Sequence, residues 1–234
     1  MKLFLFQSGS IRTKKSLLVE GESETEIEVP VPFYLITHPG GNLLFDTGQP
    51  RSAMKGPLTG DYIPVMNKAD YVSPQLKKAG LTTSHITQIV LSHLHSDHAG
   101  GLEAFKNTEC FIQEKELLAD ERNRDGLRWR YLNGDYDVFG DGLVRIVSTP
   151  GHSPGHQSLL LKLEKSGKVL LTSDSVYLDE ILDHNVLPGV YYDREATRRT
   201  IQMIRDMRQH GISVICGHDP VIWSRLKHAP DYYE

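Results

Sequence analysis

Four strand-like apolar runs of this chain each end, within a few residues, in histidine or aspartate. The runs lie at residues 89–92, 144–148, 169–172 and 213–216. The side chains that follow them are His93, His95, Asp97, His98, His152, Asp174 and His218. Because open sheets place their sites just beyond strand ends, these four ends are expected to converge at one edge of a sheet. The pattern predicts a sheet-based fold with one shared site.

The spacing within the first cluster indicates its local conformation. His93 and His95 are two residues apart, which separates them on a helix but places them on one side of an extended segment. We therefore expect both in a loop or extended turn. Asp97 and His98 come just before Ala99 and two glycines, where a helix can begin.

The residue types favour a metal site. Five imidazoles and two carboxylates, without a thiolate, favour zinc, manganese, iron or cobalt on nitrogen and oxygen ligands over a structural cysteine zinc site. Seven ligands exceed the need of one ion and suit two divalent ions that share a carboxylate. Asp174 is expected to be the shared ligand, because its carboxylate has two oxygens whereas an imidazole bridges poorly. A lone histidine at a strand end is usually a capping or surface residue. Here seven metal-type side chains follow strand ends, so we favour the metal site.

The remaining histidines are expected to be structural. His156 is the least certain of them, since it follows His152 by four residues and could support the site. Asp46, at the end of another apolar run, could do the same or could simply stabilise a turn. Cys216 is expected to be a buried strand cysteine.

The size and net charge of the chain further narrow the class of protein to which it can belong. The chain has 234 residues, 39% of them hydrophobic, which suits one domain over residues 1–234 or two fused halves with a common core. A net charge of -4 without a basic block argues against a nucleic-acid partner. The apolar runs are strand-sized, which argues against a membrane helix and a signal peptide. With only two cysteines, Cys110 and Cys216, no disulfide framework is implied and a cytoplasmic location is expected.

Strands outnumber helices along the chain. Hydrophobic patterning predicts strands at residues 3–6, 31–37, 42–46, 86–91, 109–113, 143–148, 157–163, 168–172 and 212–216. It predicts helices at residues 73–80, 101–105, from Glu114 onwards, and 193–210. A surface loop or ragged hairpin is expected at residues 9–30, loops are expected at residues 49–71 and 179–192, an irregular segment at residues 122–141, and a polar tail after the last strand. Two sheets packed face to face with helices outside would bury these runs best, an α/β arrangement.

Two motifs resemble a known family. SHLHSDHAGG at residues 92–101 is similar to the signature of the metallo-β-lactamase superfamily. TPGHSPGHQS at residues 149–158 resembles the second motif of the N-acyl homoserine lactonases within it, and the likeness covers nearly the whole chain. The resemblance implies the αββα sandwich of the metallo-β-lactamase type.

The resemblance also implies a reaction. One ion would be held by His93, His95 and His152, the other by Asp97, His98 and His218, with Asp174 between them. Hydroxide formed from water by the two ions would open the lactone ring of an N-acyl homoserine lactone, a quorum-sensing signal. Tyr177, three residues after Asp174, would contact the substrate carbonyl, and Asp97 would carry the proton to the leaving oxygen.

Several alternatives stay open at this point. The substrate could be another small lactone of the γ-butyrolactone or pyridoxolactone type, or a glutathione thioester as in glyoxalase II. A non-catalytic metal or signal-binding module on the same fold is less favoured, since the ligand set is complete. Ser96 is small where related lactonases can carry an aromatic residue. The chain could be a monomer or homodimer, and a pocket for the acyl chain is hypothesised from Met54, Leu58, Tyr62, Ile63 and Met66.

Overall fold

The computed structural model describes residues 1–117 and 126–234. Its strands are β1 (Lys2–Lys14), β2 (Glu26–His38), β3 (Gly41–Phe45), β4 (Tyr62–Val65), β5 (Gln88–Val90), β6 (Glu109–Gln113), β7 (Arg128–Leu132), β8 (Tyr136–Asp137), β9 (Val144–Ser148), β10 (Gln157–Leu163), β11 (Gly167–Leu171) and β12 (Ser213–Ile215). Its α-helices are α1 (Lys15–Leu18), α2 (Val72–Leu76), α3 (Ser96–Ala99), α4 (Glu114–Leu117), α5 (Asp179–His184), α6 (Arg194–Gln209) and α7 (Pro220–Trp223). Each helix in these ranges is too short or too polar to cross a bilayer.

The described strands form two sheets. The larger has the order β4-β1-β2-β3-β5-β6-β7, and the smaller has the order β12-β11-β10-β9-β8. In both sheets the antiparallel strands give way to parallel pairs, β3–β5–β6–β7 in the first and β11–β12 in the second. The predicted metal-type side chains follow β5, β9, β11 and β12, so both sheets supply residues to the predicted site.

Because side chains point to alternate faces along each strand, the buried apolar residues form three separate clusters. Leu3 and Leu5 of β1 face the smaller sheet and pack against residues such as Leu159 and Leu171. Phe4 and Phe6, on the opposite face of β1, pack under α2. On the far side of the smaller sheet, α5 and α6 cover a third cluster that includes Leu170, Ile181, Ile201 and Ile204. The layers are therefore helix, sheet, sheet and helix, which confirms the predicted αββα sandwich.

Of the two forms predicted for the N-terminal polar segment, the hairpin is confirmed and the surface loop is wrong. Residues 9–30 form the far half of a long hairpin, because β1 continues to Lys14 and pairs with β2 up to Lys14↔Glu26. Polar residues such as Ser8, Ser10 and Thr13 obscured this strand in the sequence, yet all three are buried. A register shift between Gln7 and Ser10 lets the strand bend as it continues.

Other loop predictions need smaller corrections. Residues 49–71 contain β4, which pairs with β1. The part of 122–141 that is described, from residue 126, holds the edge strand β7 and the short β8, whose polar composition hid them; residues 122–125 lie outside the described residues. Residues 179–192 begin with α5, which ends at Asn185 in the left-handed region (φ 54°). The tail contains α7, capped by the Asp219 side chain.

The helix predictions are close to the structure. Asp193 caps α6 by accepting from the Ala196 N–H (2.9 Å), one residue before the helix begins. Helix α2 begins at Val72 rather than after Ser73, and a short 3₁₀ turn carries it to Gly80. The helix predicted from Glu114 is described as far as Leu117.

Candidate functional site

The structure brings together all seven predicted metal-type side chains. His93 and His95 lie in the loop after β5, while Asp97 and His98 lie on α3. The others come after strands of the smaller sheet: His152 after β9, Asp174 in a 3₁₀ turn after β11, and His218 after β12. Their donor atoms form two groups in which every pair lies within 4.8 Å: one is His93, His95, His152 and Asp174, and the other is Asp97, His98, Asp174 and His218.

Asp174 belongs to both groups because its two oxygens face different ways. Oδ2 lies 3.7 Å from His93 Nε2 and 3.4 Å from His152 Nε2. Oδ1 lies 3.0 Å from the Nε2 atoms of both His98 and His218. This is the arrangement required of a carboxylate shared between two metal positions.

The imidazole nitrogens of the first group lie close to one another. His152 Nε2 is 3.2 Å from His93 Nε2 and 3.0 Å from His95 Nδ1. In the second group, His98 Nε2 and Asp174 Oδ1 are buried and have no hydrogen bond of acceptable geometry within the described residues. Burial of unpaired polar atoms is costly, and clustered lone pairs repel unless a cation lies between them. The donor set therefore fits metal ions.

The other ring nitrogens are held by hydrogen bonds that select the tautomer. His218 Nδ1 donates to the carbonyl of Pro30 (2.7 Å), which leaves Nε2 with its lone pair for a ligand. His98 Nδ1 lies 2.9 Å from Asp46 Oδ2. Asp46 also accepts from the backbone N–H of Ser92 (2.7 Å), so it supports the site as the sequence suggested.

Charge at the site is set by burial and by close neighbours. Burial lowers the pKa of His152 to about 4 and that of His93 well below its ordinary value, which keeps both rings neutral. Burial alone would raise the pKa of Asp174, but the His98 and His218 imidazoles outweigh it and lower that pKa well below the usual range. Likewise, His98 overcomes the effect of burial on Asp97 and lowers its pKa to about 2. His93 and His152 are therefore neutral and Asp97 and Asp174 are ionised, which are the forms that ligate metals. Burial lowers the pKa of His98 and His218, but the charge of Asp174 outweighs it and raises both, so a metal ion that binds there would displace a proton from each ring.

Tyr177 lies beside this cluster in a cavity of about 630 Å³. Its hydroxyl is 2.9 Å from His152 Nδ1. Burial, followed by the charge of Asp174, raises the pKa of Tyr177 well above its ordinary value, so the phenol stays protonated and can donate. Asp97 and Ser96 line the same cavity.

The hypothesised acyl-pocket residues separate into two kinds. Tyr62 lines the cavity, as predicted. Met54 and Met66 pack against the apolar cluster under the larger sheet, so they anchor the loop instead. Leu58 is 80% exposed and Ile63 is half-buried, and neither contributes to the cavity wall. The lining of the cavity also includes residues that the sequence did not single out: Ile11, Thr13, Leu18, Val29, Pro57 and Val190.

Glu116 is a buried carboxylate that the sequence did not reveal. It is 4% exposed, accepts from the Leu94 N–H (3.2 Å) with one oxygen, and accepts from Ser153 Oγ (2.7 Å) and the Gly155 N–H (2.8 Å) with the other. It thus ties the loop of His93 and His95 to the loop of His152. The only signal was an acidic residue shortly after β6, which looks like an ordinary charged helix.

Ser173 is a second missed residue. It adopts the left-handed region (φ 48°), which a serine rarely does, immediately before Asp174. Its hydroxyl lies 2.9 Å from Ser92 Oγ and 3.2 Å from His98 Nδ1. Backbone strain of this kind persists where surrounding contacts hold it, and here it directs Asp174 between the two groups.

His156 supports the site from outside the two groups. Its Nδ1 forms a hydrogen bond with Thr149 Oγ1 (2.9 Å), and its ring lies 5.3 Å from that of His93.

Comparison with known proteins agrees with this geometry. The sequence profile described as the metallo-beta-lactamase superfamily matches residues 27–218. The N-acyl homoserine lactonase AttM of Azorhizobium caulinodans is 35% identical over an alignment of 261 positions, which covers 100% of this chain and 99% of that protein.

Solved structures give the same result. A variant of Bacillus thuringiensis AiiA with N-decanoyl-L-homoserine at its active site superposes with a TM-score of 0.91, at 31% identity, over 99% of this chain and 98% of that one. An N-acyl homoserine lactone hydrolase with the product N-hexanoyl-L-homoserine at its catalytic metal centre has a TM-score of 0.90, at 31% identity and the same coverage. The chain therefore belongs to the metallo-β-lactamase superfamily and, within it, to the family of the N-acyl homoserine lactonases.

Proposed function

We propose that this protein hydrolyses the lactone ring of N-acyl homoserine lactones. The observation that carries the proposal is the pair of ligand groups that share Asp174 beside Tyr177, in a cavity that continues into an apolar wall. The relatives named as lactonases, and the acyl-homoserine products in the two solved structures, support this substrate.

Two divalent ions, with zinc the first choice, are the proposed cofactors. His93, His95 and His152 would hold one, and Asp97, His98 and His218 the other, with Asp174 between them. When bound, such ions lower the pKa of coordinated water towards neutrality and polarise a carbonyl oxygen. Since both sheets supply these side chains, residues 1–234 are proposed to work as one domain.

Tyr177 is proposed to stabilise the negative charge that develops on the lactone carbonyl oxygen. With His152 Nε2 used as a ligand atom, its proton resides on Nδ1 and donates to the Tyr177 oxygen. The hydroxyl proton of Tyr177 then remains free to donate to the substrate. A fixed donor in a buried site is more effective than water, because it needs no reorientation as the charge appears.

Asp97 is proposed to move the proton. Its carboxylate is ionised, since its pKa is about 2, and it lines the cavity. It can accept the proton released when water attacks the carbonyl and return it to the ring oxygen as that oxygen leaves. The product is then the open-chain N-acyl homoserine.

The apolar part of the cavity lining suits an acyl chain. Ile11, Leu18, Val29 and Val190 are apolar and line the same cavity as the metal-type residues. Small-molecule pockets with mainly apolar walls and a few polar groups bind ligands of mixed character.

The test is a set of parallel hydrolysis assays with zinc-loaded protein. Short- and long-chain N-acyl homoserine lactones, γ-butyrolactone and a glutathione thioester are followed by proton release or thiol formation. We expect the acylated lactones to give the highest kcat/KM. Activity confined to the thioester or to the bare lactone would contradict the proposed substrate and leave the metal chemistry intact.

A further inference from the structure

Gln157 lies at the base of the loop that carries His152. It is the first residue of β10 and pairs with Ser148, the last residue of β9, so these two residues close the loop. Its backbone N–H donates to the carbonyl of Ser92 (2.9 Å), which immediately precedes His93. Gln157 therefore joins the His152 loop of the smaller sheet to the segment of the larger sheet that leads into His93.

The side chain of Gln157 holds the same segment. It is fully buried, and its Nε2 donates to the carbonyl of Leu91 (2.7 Å) and to that of Phe111 (3.3 Å). Because carbonyl oxygens can only accept, the amide has one orientation, with Oε1 directed away from them. Together with the backbone bond to Ser92, one residue fixes the two successive carbonyls that come directly before His93.

Gln113, the last residue of β6, completes a network of two amides. It is 4% exposed, and its Nε2 donates both to Gln157 Oε1 (2.8 Å) and to the carbonyl of Gly134 (2.8 Å), while its Oε1 accepts from the Gly134 N–H (2.9 Å). All four N–H groups of the two side chains are donated, and both side-chain oxygens accept. Burial of an amide is costly unless it is satisfied, and a satisfied network specifies one arrangement of its neighbours.

The network lies on one side of His93 in the sequence, and Glu116 holds the other side. Glu116 accepts from the N–H of Leu94, which directly follows His93, and from groups of the His152 loop. The Nε2 atoms of His93 and His152 are 3.2 Å apart. A shift of the peptide before His93 would therefore change the distance between two side chains of the first metal group.

We propose that Gln157 is a positioning residue for the metal group of His93, His95 and His152, and that Gln113 holds its amide in the required orientation. This inference rests on the two-ion site of the proposed function. The ring nitrogens of the second group are held by other residues, the Asp46 carboxylate and the Pro30 carbonyl. Loss of the Gln157 amide should therefore weaken the first ion much more than the second.

The experiment removes zinc stepwise from the loaded protein with a chromogenic chelator. His95→Ala, which lacks a side chain of the first group, identifies the step that belongs to that group. We expect Gln157→Met, which is similar in size but cannot donate, to weaken this step about 10- to 100-fold and to change the other step less than about threefold. Gln113→Met should weaken the same step by a smaller factor, because it reaches His93 only through Gln157.

Gln75 provides the matched control. It is a 3% exposed glutamine of α2 whose Nε2 donates to the Ala69 carbonyl (2.9 Å). Gln75→Met removes a buried amide away from the ligand loops and should leave both zinc steps as in the wild type. Melting temperatures in excess chelator report the effect of each change on the fold without metal. A purely structural role of Gln157 would lower this temperature and leave both zinc steps unchanged.

The two glutamines should also act as one unit. The double variant of Gln113→Met and Gln157→Met should weaken the first step about as much as Gln157→Met alone, because both changes interrupt the same network. If Gln157→Met does not fold, Gln113→Met carries the test. Zinc steps like those of the wild type, or an equal loss at both steps, would overturn the inference alone. A wild type that binds no zinc would contradict the two-ion site, and one that binds two zinc ions but opens no lactone would contradict only the proposed substrate.

Discussion

At the scale of single residues, the geometry of the site depends on which nitrogen of each imidazole ring is already hydrogen-bonded. His218 Nδ1 is fixed by a backbone carbonyl, His98 Nδ1 by Asp46 and His152 Nδ1 by Tyr177. In each case Nε2 is the atom left to face Asp174. The orientation of the ligands is thus built into contacts that lie outside the ligand set.

Tyr177→Phe tests the role of the hydroxyl as a donor to the substrate. The change removes one hydrogen bond to the developing oxyanion and leaves the aromatic ring packed, so kcat should fall roughly 10- to 100-fold. Metal content should stay near that of the wild type, since Tyr177 contacts only the non-ligand nitrogen of His152. Steady-state kinetics with metal analysis measures both; full activity of the variant would remove Tyr177 from the mechanism.

Glu116→Gln tests whether the buried carboxylate positions the two ligand loops. An amide has one acceptor oxygen in place of two, so one of the donors of Leu94, Ser153 and Gly155 loses its partner. We expect zinc affinity to fall about 10- to 100-fold, with activity recovered at high zinc.

The neighbouring Glu114, exposed on the same helix, provides the matched control. Glu114→Gln should bind zinc like the wild type in a competition titration with a chromogenic chelator. If Glu116→Gln also binds zinc like the wild type, the carboxylate serves packing alone.

At the scale of elements, the second ligand loop is fitted closely against α6. Gly151 has φ +141°, and a Cβ there would lie 2.5 Å from the Thr197 backbone nitrogen at the first turn of the helix. The Thr200 hydroxyl donates to the Pro150 carbonyl (2.7 Å). The N-terminal part of α6 therefore determines where His152 lies. The glycines of the motif at residues 149–158 did not reveal this contact.

Gly151→Ala should displace His152 and abolish most activity. The side chain meets backbone atoms that cannot rotate away, in a conformation that L residues rarely adopt, at a combined cost of about 3 kcal/mol in unfolding free energy. Gly211→Ala is the control, because φ is +84° there and a Cβ would meet no atom within 4 Å. It should cost about 1 kcal/mol and leave kcat unchanged. Urea unfolding and kinetics of both variants give the comparison; equal effects would mean that the contact with α6 is unimportant.

At the scale of the whole molecule, the sequence predicted the sandwich and the convergence of seven metal-type side chains because both depend on residue type and strand-end position. His93 and His218 could be identified without knowing their distance in space. Glu116 could not, because its meaning arises from partners far along the chain, Ser153 and Gly155. The sequence left the N-terminal polar segment between a loop and a hairpin for a similar reason, since its burial depends on β4 and α5 rather than on its own composition.

The same convergence would make the proposed metal ions part of the stability of the fold. The ligands extend from His93 to His218 and belong to both sheets, so ions that bind only the folded chain stabilise it in proportion to the logarithm of their concentration over Kd. Free metal at about 1,000 times Kd contributes about 4 kcal/mol, which corresponds to roughly 8–16 °C in melting temperature for a chain of this size.

Chelation should therefore lower the melting temperature by about 10 °C and abolish hydrolysis, and added zinc should restore both. His152→Ala should show a much smaller chelator shift, because it lacks a ligand of the first group. A wild-type melting temperature that is the same with and without chelator, in protein shown to contain metal beforehand, would mean that the cluster is held together by its surroundings alone.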